Sequence, residues 1–584
     1  MKNILLFIID SLNYSHVKES PIRLMPFLEE LKSSGIACEN MFSQAPYTEA
    51  AVMNIYCGQD VLQNKGYLFR FKDAPLTIFE AMQEKGYVTY FNSYQPQCHP
   101  SSVRRGVDHI FYNVGYDQGA LWSYRLGHYA EAYRQNALTE ADYQALEEIF
   151  EDNLSQWIRF TDDMLSGDPS VSMIRDNAPD YDAAAVKTLV SEQYRLYRED
   201  PRGYIHQVLT QGTGHCLFKI PAYVQSGKIA DRTAIPQIKT LFTPLFQRIR
   251  KMSVRLNRKN TKGLWKGPTR KFGELVKHPG MNSLKNLAKS MLLSANAIYD
   301  LDLFERLDNC DWFKNAPSGR THIDHYISWA KAHTDAHFAC IHIDDIHNPE
   351  VFFTYDSDDL ALLRQEERSA QELLDQIPES YSGSLTHDLS LRYMDNVIRY
   401  LYEQLAESGL LEDTCVLICA DHGFSFSGNP LRDSAVVNLY LENYNIPCVI
   451  TGSGLPERQI TDLRSSKDIP ATLCYLADRQ VPAAFTGTPV TNEAGYPCVQ
   501  IEYCGGGCPD ISRRELKIAA FDKTYFVGTL GTLQDELHVT EIYDLEADPK
   551  QLNNLAGGSY DRNAVDGLCL HIEQRRRNIA ATGA

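Results

Sequence analysis

The chain has 584 residues, 43% of them hydrophobic, with 57 Lys and Arg against 75 Asp and Glu, a net charge of −18. That length exceeds one simple core and points to a large catalytic domain with additions, while the apolar content excludes wholesale disorder. The acidic balance, with a pI of about 5.4, excludes general nucleic-acid binding, which needs a positive surface, but leaves room for a local basic patch.

Residues 3–9 (NILLFII), apolar without a break from Ile4 to Ile9, end at Asp10, as a strand buried on both faces does. The apolar stretch is too short for a secretory signal. No window reaches the ~20 apolar residues of a membrane span, so a soluble, cytoplasmic protein is expected. Residues 25–35 have helical spacing and a Gly stop. Residues 77–86 open with the capping-box pair Thr77 and Glu80 and stop at Gly86, and 87–93 read as a strand. This alternation implies βαβ units in a doubly wound sheet.

From about 116 to 329 the chain turns helical, without clear buried strands. Strands return at 337–349, 414–423 and 446–452, with a long helix at 386–408 that stops at Gly409. The expected organisation is an α/β core from 1–115 and 330–484, a helical insertion at 116–329, and a small C-terminal subdomain at 485–584. Cys340, Cys415, Cys419 and Cys448 fall in apolar strand-like runs, where reduced thiols act as small hydrophobes. The CGGGC run at 504–508 reads as a Gly-rich turn rather than a zinc pattern.

Within the insertion, residues 247–280 hold eleven Lys or Arg against one acid, Glu274. Thr243 followed by Pro244 is a helix-start signal, after which Leu245, Phe246, Ile249, Met252 and Leu256 share one face. Two readings follow. The helix lies on an anionic membrane or grips a polyanionic substrate, or it packs on the core with a solvated basic face, which is the more ordinary outcome.

Functional groups gather at the carboxyl ends of parallel strands. Three strands here end in Asp10, in Asp344-Asp345-Ile346-His347, and in Asp421-His422. Carboxylates and imidazoles in such places suit a divalent cation: zinc, manganese, magnesium or calcium. Each alone is equally a turn or helix-capping residue. In QAPYTEAAVMNIYCG (44–58), Thr48 stands where it caps a helix or carries chemistry.

The chain resembles the sulfatase family of the alkaline phosphatase superfamily. The likeness runs in order through NILLFIID, MPFLEELKSSGIACENMFSQAPYT, TIFEAMQEKGYVTYFNS, the helix leading into CADHG, YNIPCVITGSG, and EIYDLEADPKQLNNLA at 541–556. It implies an α/β/α sandwich with a mostly parallel central sheet. It also implies metal ligands at Asp10, Asp421 and His422, a nucleophile at Thr48 that also meets the metal, and a His347 that contacts the transferred group or a second metal. Asp344 or Asp345 would join His347 in a two-metal site. One or two ions (zinc, manganese or calcium) are therefore expected.

The departures are chemical. Sulfatases convert Cys or Ser at the nucleophile position to formylglycine, whereas the β-carbon of Thr carries a methyl group and cannot give an aldehyde. The family's Arg four residues on is Val52, the Asp after the first metal ligand is Ser11, and Asn92-Ser93 replace a Lys. The nearest cation to the last cage position is Arg432. Thr is the nucleophile in phosphoryl-transfer members of the superfamily. The expected activity is therefore metal-dependent hydrolysis or transfer of a phosphomono- or diester through a phospho-enzyme, on an anionic substrate such as a polymer or lipid head group. The alternatives are a sulfatase that does without formylglycine and a non-catalytic binding protein.

Overall fold

The computed structural model describes residues 3–63, 73–93, 105–111, 132–168, 182–211, 236–259, 266–299, 318–347, 360–381, 383–424, 439–492, 494–504 and 515–583, with single positions between them. Arg432, Asn348, Pro349 and residues 505–508 of the Gly-rich run lie outside that set.

The central sheet has nine strands. In chain order they are β1 (Asn3–Ile9), β2 (Ile36–Phe42), β3 (Val88–Ser93), β4 (His109–Phe111), β5 (His337–Ile343), β6 (Thr414–Ala420), β7 (Asn445–Thr451), β8 (Arg458–Ile460) and β9 (Arg464–Ser465). They run in the order β4-β3-β5-β1-β6-β7-β2-β8, with β9 also paired to β2. β7 is antiparallel to both neighbours, and every other pairing is parallel. β1 lies between β5 and β6 and is wholly buried, which is why its sequence is apolar from Ile4 to Ile9 rather than alternating.

The flanking helices before the insertion are α1 (Tyr14–Glu19), α2 (Pro26–Ser34), α3 (Thr48–Cys57) and α4 (Ile78–Glu84). The Thr77–Glu80 capping box forms in both directions at the start of α4. β2, whose middle residues are only half-buried and which bulges between Cys38 and Met41, gave no strand signal in the sequence.

Helices α5 (Glu140–Ser166), α6 (Ala183–Glu199) and α7 (Pro201–Gln211) build a core of their own around Phe150, Trp157, Tyr197 and Tyr204. α8 (Pro236–Lys259) joins the main core instead, burying Phe242, Leu245, Ile249 and Leu256. Its apolar stripe is therefore spent on the interior, the more ordinary of the two readings. Thr243 does not start this helix, because Pro244 sits inside it. Pro at an interior position costs about 3 kcal/mol. The buried apolar side chains of α8, Phe246 among them, offset that at roughly 1.5–3 kcal/mol each.

α9 (Lys266–Lys277) and α10 (Met281–Tyr299) form a hairpin, and α11 (Gly319–Ala332) packs on β3 and β5. The sheet's helical cover thus begins before residue 330. α12 (Leu360–Gln376) and α13 (Leu385–Glu407) follow, then α14 (Asp468–Asp478). The C-terminal unit is the antiparallel sheet β10 (Val499–Tyr503), β11 (Leu516–Phe521), β12 (Tyr525–Gly531) and β13 (His538–Asp544), with α15 (Arg562–Gly583) against β11 and β12. The ten cysteines among the described residues, including Cys340, Cys415, Cys419 and Cys448, are free thiols.

Candidate active site

Parallel register carries the chemistry to one place. Ile8 pairs with His342 on β5 and with Cys419 on β6. Side chains alternate along a strand, so Asp10, His342 and Asp421 rise from the same sheet face at the same edge. All three are fully buried, and His422 nearly so. His342 Nε2 lies 3.7 Å from Asp421 Oδ2 and 4.0 Å from Asp10 Oδ2. His422 Nε2 lies 3.6 Å from Asp421 Oδ2 and 3.8 Å from Asp10 Oδ1.

Backbone and side-chain hydrogen bonds fix these groups. Ser11 sits in the left-handed region, φ +60°, which costs a non-glycine residue about 1–3 kcal/mol. That turn sends its N–H to Asp421 Oδ1 at 3.1 Å and its hydroxyl to Asp10 Oδ1 at 2.6 Å. The His422 N–H also reaches Asp421 Oδ1, at 2.7 Å. His422 Nδ1 donates to the Gly423 carbonyl at 2.6 Å, which leaves the Nε2 lone pair facing the two carboxylates. Asn13 caps α1 and donates to the Phe424 carbonyl at 2.5 Å, tying the turn after β1 to the turn after β6.

Thr48 enters from α3. That helix is buried all round, and its N-cap is Tyr47 in extended conformation, so Thr48 is the first helical residue and not the cap. Its hydroxyl is thereby released from capping. It donates to Asp10 Oδ2 at 3.0 Å and lies 3.4 Å from His422 Nε2. The helix N-terminus adds a positive end to the same spot. α3 ends at Gly58, φ +61°, where an added Cβ would stand 2.7 Å from the Phe485 ring.

The residues fit a divalent cation. Among the described residues, Asp10, Asp421 and His422 bring ligand atoms within 4.8 Å of one another. Asp421 Oδ2 is buried with no hydrogen-bond partner, an arrangement that costs free energy unless a cation takes it up. Burial pushes the Asp10 carboxyl up, but the imidazoles of His347, His422 and His342 and the Ser11 hydroxyl outweigh it and hold Asp10 below its ordinary range. Burial lowers the pKa of His342, against the pull of Asp421 and Asp10, which keeps its imidazole neutral as a metal ligand requires.

Not every expected residue joins this cluster. Asp345 is a helix cap: both its oxygens accept from the Gly319 N–H at the start of α11, and Tyr393 donates to it at 3.0 Å. Asp344 and His347 lie on the turn beyond β5, where the His347 N–H bonds the Asp344 carbonyl at 3.0 Å. They are outside the ligand cluster, and no second metal set forms from them among the described residues. His347 is exposed, yet close enough for its imidazole to act on Asp10. His342, which stands beside the three-residue cluster without being one of its members, is the neighbour the sequence concealed. Its signal was a polar residue one short of the end of an otherwise apolar strand.

Asn92, one of two residues in place of the expected Lys, serves a buried histidine. Its amide oxygen meets His322 Nδ1 at 2.5 Å. Burial pushes His322 down to about 3, with His325 and His342 adding to the effect, so it stays neutral.

A second network sets the segment that carries Thr48. Gln44 and Asn54 bracket it, bonded to each other at 2.7 Å. Gln44 donates to Asp60 at 2.8 Å, and its carbonyl accepts from the Glu502 N–H on β10 at 2.8 Å. Glu502 receives a bidentate pair from Arg575 of α15 at 2.7 and 2.8 Å. Lys467 closes the network on Asp60 at 2.8 Å. The C-terminal unit thus reaches the base of the site.

A family model described as Sulfatase matches residues 2–169 and 293–479, more than half of the chain. A choline-sulfatase from Rhizobium meliloti (strain 1021) is 27% identical over 177 residues, which are 29% of this chain and 32% of that relative. The alignment therefore spans about a third of the relative's length. Among solved structures, a 2-O GAG sulfatase is similar over 100% of this chain and 92% of its own, at 12% identity and a TM-score of 0.48. The phosphonate monoester hydrolase of Agrobacterium radiobacter is similar over 100% and 96%, at 13% identity and a TM-score of 0.46. The matched family segments contain Asp10, Thr48, His342, Asp421 and His422. The chain belongs to the sulfatase family.

Proposed function

We propose that the protein is a divalent-metal-dependent phosphoester hydrolase or phosphotransferase in which Thr48 is the nucleophile. The observation that carries this reading is the Thr48 hydroxyl, released from capping, at the N-terminus of α3 and donating to Asp10 Oδ2 at 3.0 Å. Thr48 Oγ forms a bond to phosphorus as the bond to the leaving oxygen breaks, and the hydroxyl proton, hydrogen-bonded to Asp10 Oδ2 beforehand, ends on the leaving oxygen. The phosphoryl group then passes to water or to an acceptor hydroxyl as the Thr48 Oγ–P bond breaks, and the proton lost by the acceptor restores the Thr48 hydroxyl. Asp10, Asp421, His422 and His342 would hold the cation. When bound, it lowers the pKa of the hydroxyl beside it and neutralises the transferring oxygens. Imidazole beside carboxylate favours zinc or manganese over calcium. His347, exposed and electrostatically felt by Asp10, would contact the transferred group.

The second reading, sulfate ester hydrolysis, is favoured by the match to choline-sulfatase. Against it stands the chemistry of Thr48. Cys57 cannot substitute, because it lies at the far end of α3, ~14 Å away by helix rise, and is fully buried.

Metal content measured together with turnover of p-nitrophenyl phosphate, bis-p-nitrophenyl phosphate and p-nitrophenyl sulfate separates the readings. The expected outcome is phosphate ester turnover that Thr48→Ala lowers by roughly 10³-fold or more, and a phosphothreonine at residue 48 in quenched reactions. Sulfate turnover abolished by Thr48→Ala, without phosphatase activity, would overturn the proposal. A metal-free, inert protein would favour a binding role.

A further inference from the structure

Residues 236–291 carry fourteen Lys and Arg against the single acid Glu274, in a chain of net charge −18. α8 buries its apolar face in the core, but the hairpin after it does not. On α9, Phe272 and Val276 stand one turn apart, 58% and 66% exposed. On α10, Met281, Leu284 and Met291 share a face and are 68%, 50% and 50% exposed, while Leu287 at the edge of that face is buried. These twenty residues hold five of the eleven large hydrophobic side chains that are exposed among the described residues. Lys285 and Lys289 flank the apolar face of α10. Glu274 pairs with Arg270 and Lys271, and Lys277, Lys285 and Lys289 are exposed.

We infer that the α9–α10 hairpin docks the protein on the surface of an anionic lipid bilayer. Charge complementarity selects that occupant. A polyanion in solution would use the lysines but has no use for five exposed apolar side chains. A bilayer with anionic head groups takes both, the apolar groups entering the boundary between head group and acyl chain while the lysine ammonium groups stay among the phosphates. The attachment is peripheral, since no described helix is long and apolar enough to cross a membrane. The inference does not depend on the chemistry assigned to Thr48.

The test is co-sedimentation of the full chain with phosphatidylcholine vesicles, with and without phosphatidylserine, read alongside turnover of a small soluble ester. Binding is expected only to the phosphatidylserine vesicles, weakening as salt is added. Phe272→Ser/Leu284→Ser/Met291→Ser and Lys277→Gln/Lys285→Gln/Lys289→Gln should each lower it by about tenfold or more. Soluble-ester turnover should be unchanged in both, and Thr48→Ala should bind vesicles as wild type does. All six sites are exposed, so both variants are expected to fold. Three outcomes would overturn the inference: no preference for the anionic vesicles, binding unaffected by either triple substitution, or loss with the Gln set alone. The last would point to a soluble polyanion.

Discussion

Ser11, Thr48 and His342 define the site at the level of single residues. Ser11 takes a left-handed backbone so that one N–H and one hydroxyl can hold both carboxylates at once. Its identity could be read from the sequence only as a departure from the family pattern, since a φ value leaves no mark in composition. Thr48 was legible as a position and not as a geometry. Which residue caps α3 depends on Tyr47 being extended, and that decides whether the hydroxyl is free to act. His342 was illegible because attention to strand ends passes over a residue one short of the end. If His342 is a ligand, His342→Ala should lower metal affinity by roughly 10–100-fold, the range seen when metal-supporting residues are lost. Equilibrium dialysis with elemental analysis would read this without reference to activity. His337 gives a pH effect of known sign. It is buried, bonded to Tyr326 at 3.0 Å, and pushed down to about 4 by burial. Below about pH 6.5 the unfolded chain takes up a proton that the folded one refuses until pH nears 4. Folding stability is therefore lost as pH falls through that window, by about 3 kcal/mol in all. His337→Gln should flatten the denaturation midpoint between pH 6.5 and 4.

Elements with a single strong pattern were readable: β1 and β6 from their apolar runs, β5 from an apolar run that His342 interrupts, α4 from its capping box, and α13 from its period and Gly stop. Elements decided by tertiary contacts were not. β2 forms because β7 and β8 pair with it, and α8 runs through Pro244 because its apolar face is buried. The junction of α15 with the catalytic core belongs to this class. Nothing in Arg575 alone points to Glu502, 73 positions earlier. Arg575→Met leaves the buried Glu502 carboxylate uncompensated and should destabilise the fold by about 3–5 kcal/mol in chemical denaturation. Arg575→Lys should recover only part of this, because an ammonium cannot supply the bidentate pair.

For the whole molecule, three of the four groups about the candidate metal site come from strands far apart in sequence, Asp10, His342 and Asp421, with His422 beside the last. Bringing two buried carboxylates together without a cation is unfavourable, so metal binding at the candidate site would be coupled to overall stability. Chelation should lower the thermal midpoint. Restoring zinc or manganese at a hundredfold excess over its dissociation constant should stabilise the protein by about 2.7 kcal/mol, read by differential scanning calorimetry. Calcium producing the larger shift would argue against a site that uses imidazole. Such long-range assembly is what a sequence hides best. Local patterns announced the strands and the family order, but the distances among residues 10, 48, 342 and 421 exist only after the sheet has paired.

The reach of α15 back to the segment around Thr48 bears on the timing of biosynthesis. Arg575 bonds Gln63 across 512 positions, so the segment that carries Thr48 leaves the ribosome long before the side chains that brace it. At roughly 5–20 residues per second the interval is on the order of a minute. Throughout it the nascent chain has made Thr48 but lacks the brace beneath it, so the completed site is a property of the finished polypeptide.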